Sequence, residues 1–452
     1  MSKTYRPYEP DQILLLPPSV KDWLPSGHLA HFVSELVDES LDLSAITKVY
    51  EREERGYPPY HPAMMTKVWL YAYSVGIPSS RKIEKHLMED VAFRMLAANN
   101  TPNFRTISDF RKEHLAALDG LFLQVLKLCQ KAGMVKLGHV ALDGTKMKAN
   151  ASKHKAMSYD RMKKDEARLA AEVKEFLRRA EETDAREDAE YGPDKRGDEL
   201  PAELAFREGR LKIIREAKEA LEREAREEAE KKQAEAGPGG DRKSPEAEAK
   251  PRDKAQRNFT DPESRIMPSS SEKGSFLQGY NCQAAVDDKY QVIVACDTTQ
   301  QTNDSQQANP MLEQVKRNVG KAPDKVSMDA GYASEDNIIG VEALGSEAFI
   351  AMSRKKHGEV VPAAPRGRIP KKLSVLDRMR RKLLTKKGRA IYAKRKEIVE
   401  PVFGQTKRCR GFRQFSLRGL TKVKGEWSLI CTTNNLLKLW RKMNAKAILQ
   451  AA

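Results

Sequence analysis

Two short apolar runs constrain this chain more than any other feature. In "HVALDGT", Val140, Ala141 and Leu142 read as a buried strand that meets Asp143, then Gly144 and Thr145; in "KVSMDAGY" the same pattern ends on Asp329. Between and after them the segments alternate. "GYNCQAAVDD" and "YQVIVACDTTQ" are β-prone and joined at Asp287–Asp288 in a hairpin-like turn, "ANPMLEQVKRNVG" and "EDNIIGVEALG" are helices, and "EAFIAMS" is a further strand before a basic helical region. With residues 153–260 set aside, the order is β-β-β-α-β-α-β-α. Such βαβ units require a mixed sheet with helices packed on it, an α/β class overall (α+β with its helical additions). Pairing the two strands that end on these aspartates would bring both carboxylates to one edge.

At 452 residues the chain exceeds what one core usually organises, so several domains are expected. Residues 1–135 read as a helical N-terminal domain suited to docking on DNA, and equally to an ordinary helical scaffold. "SGHLAHFVSELVDES" offers Ser26 as an N-cap, "HPAMMTKVWLYAYSVGI" stops at Gly76 and Pro78, and "TISDFRKEHLAALDGLFLQVLKLCQKAG" stops at Gly133. Residues 136–152 plus 261–452 form the α/β domain. Residues 153–260 differ in kind: Met162, Leu169, Val173 and Phe176, then Leu204, Leu211, Ile214 and Leu221, give two charge-laced amphipathic helices. They predict an antiparallel coiled-coil-like hairpin, with "AGPGGDRKSPEAEAKPRDKAQRN" after it as a flexible linker.

Charge placement matters more than its total. The net charge is +17, yet Arg354–Lys424 alone holds 24 Lys and Arg against four acids, a surplus of 20. A basic segment interleaved with Tyr392, Phe403, Phe412 and Phe415 is the footprint of a polyanion binder; a solvated basic surface is the plain alternative. No apolar run approaches the ~18–20 residues of a membrane span, and the N-terminus lacks a signal peptide's apolar core. Five scattered cysteines without a CxxC pair point to a reducing cytosol.

A third acid, Glu400 in "KEIVEPVFGQTKRCRGF", lies inside the basic segment. Asp143, Asp329 and Glu400 are three hard oxygen donors suited to Mg²⁺, and two such ions serve in-line phosphoryl displacement. Each acid has an ordinary reading too: a turn or helix cap for the aspartates, a helix ion pair for the glutamate. Asp297, Asp304 and Glu397 are rivals, and spacing alone does not choose. Pro401 places Glu400 at an expected kink or first turn.

"LDGTKMKANAS", "DPESRIM", "GYNCQAAVDD", "MDAGY" and "IVEPVFGQTKRCRGFRQFSLRGL" together resemble bacterial insertion-sequence transposases of the DDE superfamily, which have an RNase H-like catalytic fold. "YHPAMMTKVWLYAYSVGIPSSRKIE" and "PNFRTISDFRKEHL" are similar to the helical domain that precedes that core. The resemblance implies that Asp143, Asp329 and Glu400 are the catalytic, metal-holding acids. It implies two Mg²⁺ ions per site, with Mn²⁺ as a substitute. It also implies cleavage at transposon ends followed by 3′-hydroxyl attack on target DNA. The implied partners are double-stranded DNA, as terminal inverted repeats and target, and a second copy in a synaptic complex, with no membrane. The implied location is the bacterial cytoplasm, at the nucleoid. Tyr392, Arg395, Glu400 and Lys407 fit the spaced signature of relatives, except that Arg395 to Glu400 is one residue long, leaving Lys396 as a rival for the arginine's role. Lys146, Lys148, Tyr392, Arg395, Lys396, Lys407, Arg408, Arg410 and Arg413 are the expected DNA contacts. A nuclease without strand transfer and a non-catalytic, domesticated DNA-binding protein are the competing functions.

Overall fold

The computed structural model of the protein describes residues 19–51, 58–191, 202–236, 250–269, 275–353, 362–367, 370 and 372–451. Among the described residues seven α-helices precede the first strand: α1 (Leu29–Glu39), α2 (Ser44–Tyr50), α3 (Pro62–Ser74), α4 (Ser80–Glu89), α5 (Val91–Leu96), α6 (Phe104–Glu113) and α7 (Leu115–Lys131). The cap expected at Ser26 is supplied instead by His28, whose Nδ1 accepts the Ala30 N–H at 3.2 Å. Helix α3 starts on Pro62 and ends where Gly76 turns left-handed at φ +82°. No side chain fits at Gly76, because a Cβ there would lie 2.4 Å from the Arg410 carbonyl oxygen.

Strand β1 (Val140–Lys148) is longer than its apolar run, so Asp143 sits within a strand rather than at its end. The reason is its neighbour. A twelve-residue strand farther along the chain pairs with β1 over all nine residues and holds the polar half extended. After β1, the short strand β2 (Ala156–Ser158) leads into α8 (Tyr159–Tyr191) and α9 (Ala202–Ala236). Ion pairs Glu166–Arg215, Glu166–Lys218 and Glu172–Arg207 run in opposite numerical directions, which fixes the hairpin as antiparallel. Met162 and Leu169 meet Leu211, Ile214 and Leu221 in a small core of their own, with Val173 packed against it; the side chains of Phe176 and Leu204 lie outside those described. Most of the expected linker also lies outside the described residues. Its last part is no linker: Gln256–Asn258 forms β3, which pairs with β2 and closes the base of the hairpin.

The main sheet contains β4 (Arg265–Pro268), β5 (Phe276–Asp287), β6 (Ile293–Thr299), β7 (Lys325–Met328) and β8 (Glu347–Ile350) together with β1. Its central order is β6-β5-β1-β7-β8, with β4 on the far half of β5. The first three strands are antiparallel, and β7 and β8 join β1 in parallel. Helices α10 (Ala308–Val319) and α11 (Glu335–Ala343) make the two crossovers, so the expected β-β-β-α-β-α-β order is found with one strand added, β4 ahead of β5. Every residue of β5 from Gln278 to Asp287 is buried, as a sheet covered on both faces demands.

Three helices finish the fold: α12 (Val375–Leu384), α13 (Lys386–Gly404) and α14 (Leu420–Ala451). Helix α13 runs through Pro401, so Glu400 lies inside a helix and not at a first turn. Proline removes the N–H that would bond the Glu397 carbonyl four residues back. That carbonyl instead accepts Gln291 Nε2 at 2.8 Å, from the β5–β6 turn. A π-helical turn, Gln405–Cys409, follows directly. Helix α14 packs on α3, α7 and β6, so one continuous apolar core joins the N-terminal helices to the sheet.

Candidate active site

The parallel ladder between β1 and β7 ends at Leu142 opposite Met328, which sets Asp143 and Asp329 side by side at the next step. Asp329 also caps the turn that follows it, as its ordinary reading says, whereas Asp143 lies within a strand. Asp143 Oδ1 accepts the Gly144 N–H and Asp329 Oδ1 the Gly331 N–H, both at 2.8 Å. Those bonds fix the carboxylates and leave their second oxygens for other partners.

Helix α13 crosses this edge and delivers Arg395 and Glu400. The Arg395 guanidinium donates to Asp143 Oδ2 at 2.7 Å through Nη1, while Nη2 stands 3.9 Å from Glu400 Oε1. Arg395 thus reaches the acids despite the long spacing, whereas Lys396 is exposed. The Asp143 side chain is 17% exposed and that of Glu400 54%, so the acids run from a desolvated floor to an open rim. Burial pushes the Asp143 carboxyl up to about 6; Asp329 adds to the shift, while Arg395 and the Gly144 amide oppose it. Beside them Tyr392, its ring centroid 5.9 Å from the Arg395 carbon, has its phenol pushed up by burial and stays protonated.

The structure divides the expected DNA contacts. Lys148, Lys396, Arg408 and Arg413 are exposed. Arg410 is not a surface cation: it is 6% exposed and donates to the Ile430 carbonyl, Thr433 and Thr406, tying the π-turn to α14. Arg395 is spent on the acids. Lys146 leaves β1 on the face opposite Asp143, by strand alternation, and donates to the Thr302 carbonyl. Lys407 points inward to the Lys146 carbonyl at 2.7 Å, and burial holds its ammonium below the ordinary lysine value.

A second layer lies behind β1, on the Gly144 face. Asp304 accepts from Asn281 Nδ2 and Gln283 Nε2, each at 2.7 Å, and the Tyr332 hydroxyl donates to Gln283 Oε1. A Cβ at Gly144 would stand 2.6 Å from both Asp304 Oδ1 and Gln283 Nε2, so only glycine admits this brace. Sequence reading named Asp304 only as a rival acid and missed the amides. Their signal was two amides at i and i+2 on one face of an otherwise apolar strand, "NCQ".

Strand order, handed crossovers and helical cover define an RNase H-like α/β protein with an added helical domain. A family model described as a transposase domain (DUF772) matches residues 18–113, and one described as a transposase DDE domain matches residues 250–436. The chain belongs to the DDE transposases of insertion sequences. No curated protein and no solved structure matches it. The second match begins after β1, so Asp143 is linked to the matched region by its place beside Asp329.

Proposed function

We propose that the chain cleaves DNA at transposon ends and joins the freed 3′-hydroxyl to target DNA, with Asp143, Asp329 and Glu400 as the metal-holding acids. The observation that carries this reading is charge: Asp143 and Glu400 meet one guanidinium and Asp329 stands beside Asp143, at a sheet edge that is dry at its floor. Among the described residues no three acidic, histidine or cysteine side chains form a single metal-holding cluster, because Arg395 stands between Asp143 and Glu400. The donor set nevertheless fits a hard divalent cation in kind. It is all oxygen, carries a net excess of negative charge, and includes a desolvated carboxyl that a cation would return to its ionised form.

When bound, Mg²⁺ would lower the pKa of the attacking water or hydroxyl and stabilise the departing oxygen. The chain's own groups supply the rest. Asp143 and Asp329 are held rigid by backbone amides from their own segments. Arg395 stays on Asp143 through Nη1, and its Nη2, once Glu400 moves away, can donate to an oxygen of a phosphate diester. Tyr392, kept protonated by burial, is able to donate to a phosphate oxygen and does not act as a base. Glu400 at the rim is the acid free to move onto an incoming cation.

Asp143→Asn tests this. End binding should persist while Mg²⁺-dependent cleavage falls by more than the ~100-fold that loss of a mere supporting partner of a metal ligand costs. Wild-type cleavage by that variant would remove Asp143 from the site.

A further inference from the structure

A groove of about 590 Å³ separates the N-terminal helices from the segment that follows the π-turn. Arg81 at the start of α4 and Arg105 at the start of α6 flank one half-buried ring, Phe104, with their guanidinium carbons 4.9 and 5.9 Å from its centroid. Both arginines are exposed, and neither forms an ion pair among the described residues. The one carboxylate lining the groove, Asp109, is taken by Lys112 at 2.9 Å. Asn150, Gln414 and Ser416 form the opposite wall.

That wall is connected to the candidate active site. Gln414 bridges to Lys148 at the exit of β1, and Phe415 N–H donates to the Lys148 carbonyl at 2.9 Å. Five residues of strand separate Asp143 from Lys148, about 17 Å at ~3.3 Å per residue. Exposed Arg413, whose Nε donates to the Lys407 carbonyl, lies on the same path.

We infer that this groove holds the sugar–phosphate backbone of the bound duplex about five base pairs from the cleaved phosphate, at 3.4 Å per step. Arg81 and Arg105 each neutralise one phosphate, and Phe104 fixes the two guanidiniums by stacking. The polar far wall contacts the sugar edge, so the duplex is clamped between the N-terminal helices and the catalytic sheet. The inference rests on the transposase reading for the identity of the partner, and adds which surface grips it and where.

The test uses the full chain and duplexes carrying the DNA that flanks its own gene. Arg81→Ala/Arg105→Ala should weaken end binding and reduce the slope of log affinity against log salt by about 1.8, two phosphates at ~0.9 each. Arg81→Lys/Arg105→Lys, which keeps the charge, should restore most of the slope. A single neutral methylphosphonate about five base pairs from the cleaved position should weaken wild-type binding and leave the alanine double variant unaffected. An unchanged salt slope, or a methylphosphonate penalty equal in both proteins, overturns the groove assignment. Asp143→Asn separates the two readings. If it binds ends like wild type and fails to cut them while the groove variants bind unchanged, only the groove falls. If the wild-type chain neither binds nor cuts these ends, the transposase reading falls and the groove with it.

Discussion

Asp143 is a carboxylate whose surroundings favour its neutral form, and the sign of that preference is measurable. Its folded value, about 6, lies above the ordinary 3.8, so the folded chain holds an extra proton between about pH 4 and 6. Stability from this group is therefore greatest below about pH 4 and is lost as pH rises through 6, by at most ~3 kcal/mol. Melting temperatures across pH 4–7 without divalent ions should show that slope, and Asp143→Asn should flatten it. An equal slope in the variant would assign the titration elsewhere. On the proposed function a divalent cation at Asp143 would reverse the preference, so saturating Mg²⁺ should raise the wild-type melting temperature more at pH 8 than at pH 5. Gly144 gives a second test at this scale. Gly144→Ala drives a methyl into hydrogen-bonded Asp304 and Gln283 and should cost about 1–3 kcal/mol in denaturant unfolding. A neutral result would mean that the brace yields freely. The two aspartates were legible in the sequence because a charged residue after an apolar run breaks a pattern. Arg395 against Lys396 was not, since one helical step separates a buried guanidinium from an exposed ammonium and only the packing of α13 decides between them.

Helix α13 shows why elements were easier to foresee than their joints. Its existence followed from composition, but Pro401 argued for a break at Glu400. The break is averted from outside the helix: Gln291, held at φ +56° in the β5–β6 turn, donates to the Glu397 carbonyl that proline leaves without its partner. Lys438 of α14 donates to Gln291 Oε1 at 2.7 Å and orients the amide. A contact between residues 291 and 397 has no local signature, so sequence reading could not supply it. Gln291→Ala should destabilise the chain by about 0.5–1.5 kcal/mol, the net worth of one hydrogen bond to an exposed carbonyl. In a Pro401→Ala background the helix regains its own N–H donor, and the same Gln291→Ala change should then cost distinctly less. Additive losses in the double-mutant cycle would show that Gln291 does not compensate for the proline. The order of elements along the chain, in contrast, was readable except for β4, because alternating strand and helix periods mark each element locally. The extension of β1 past Asp143 was not, because it depends on the length of β5.

At the scale of the molecule, the N-terminal helices and the sheet are one cooperative body, while the hairpin stands apart. The main core runs without interruption from Leu29 to Leu439. Buried Glu426 of α14 accepts from Tyr73 of α3 and from the Ser416 and Leu417 amides, and Arg111 of α6 donates to the same tyrosine. Sequence division at residue 135 marked a change of secondary structure and not a boundary in packing. The hairpin instead packs Met162, Leu169, Leu211 and Ile214 in a separate cluster, and its two ends meet in the β2–β3 pair. Its contacts are therefore largely with itself, and chain ends already held together lose little closure entropy when the loop between them is shortened. Replacing residues 160–254 by a short Gly/Ser connection across β2 and β3 should leave a single unfolding transition, with a melting temperature within about 5 °C of the parent. Deleting residues 1–135, by contrast, strips α14 of its cover and should abolish cooperative unfolding. If instead the hairpin deletion collapses the fold and the N-terminal deletion melts cooperatively, the assignment of cores is reversed. If the hairpin deletion folds and still cleaves ends, the insertion is dispensable for chemistry, and its effect is to be sought in how two ends are brought together.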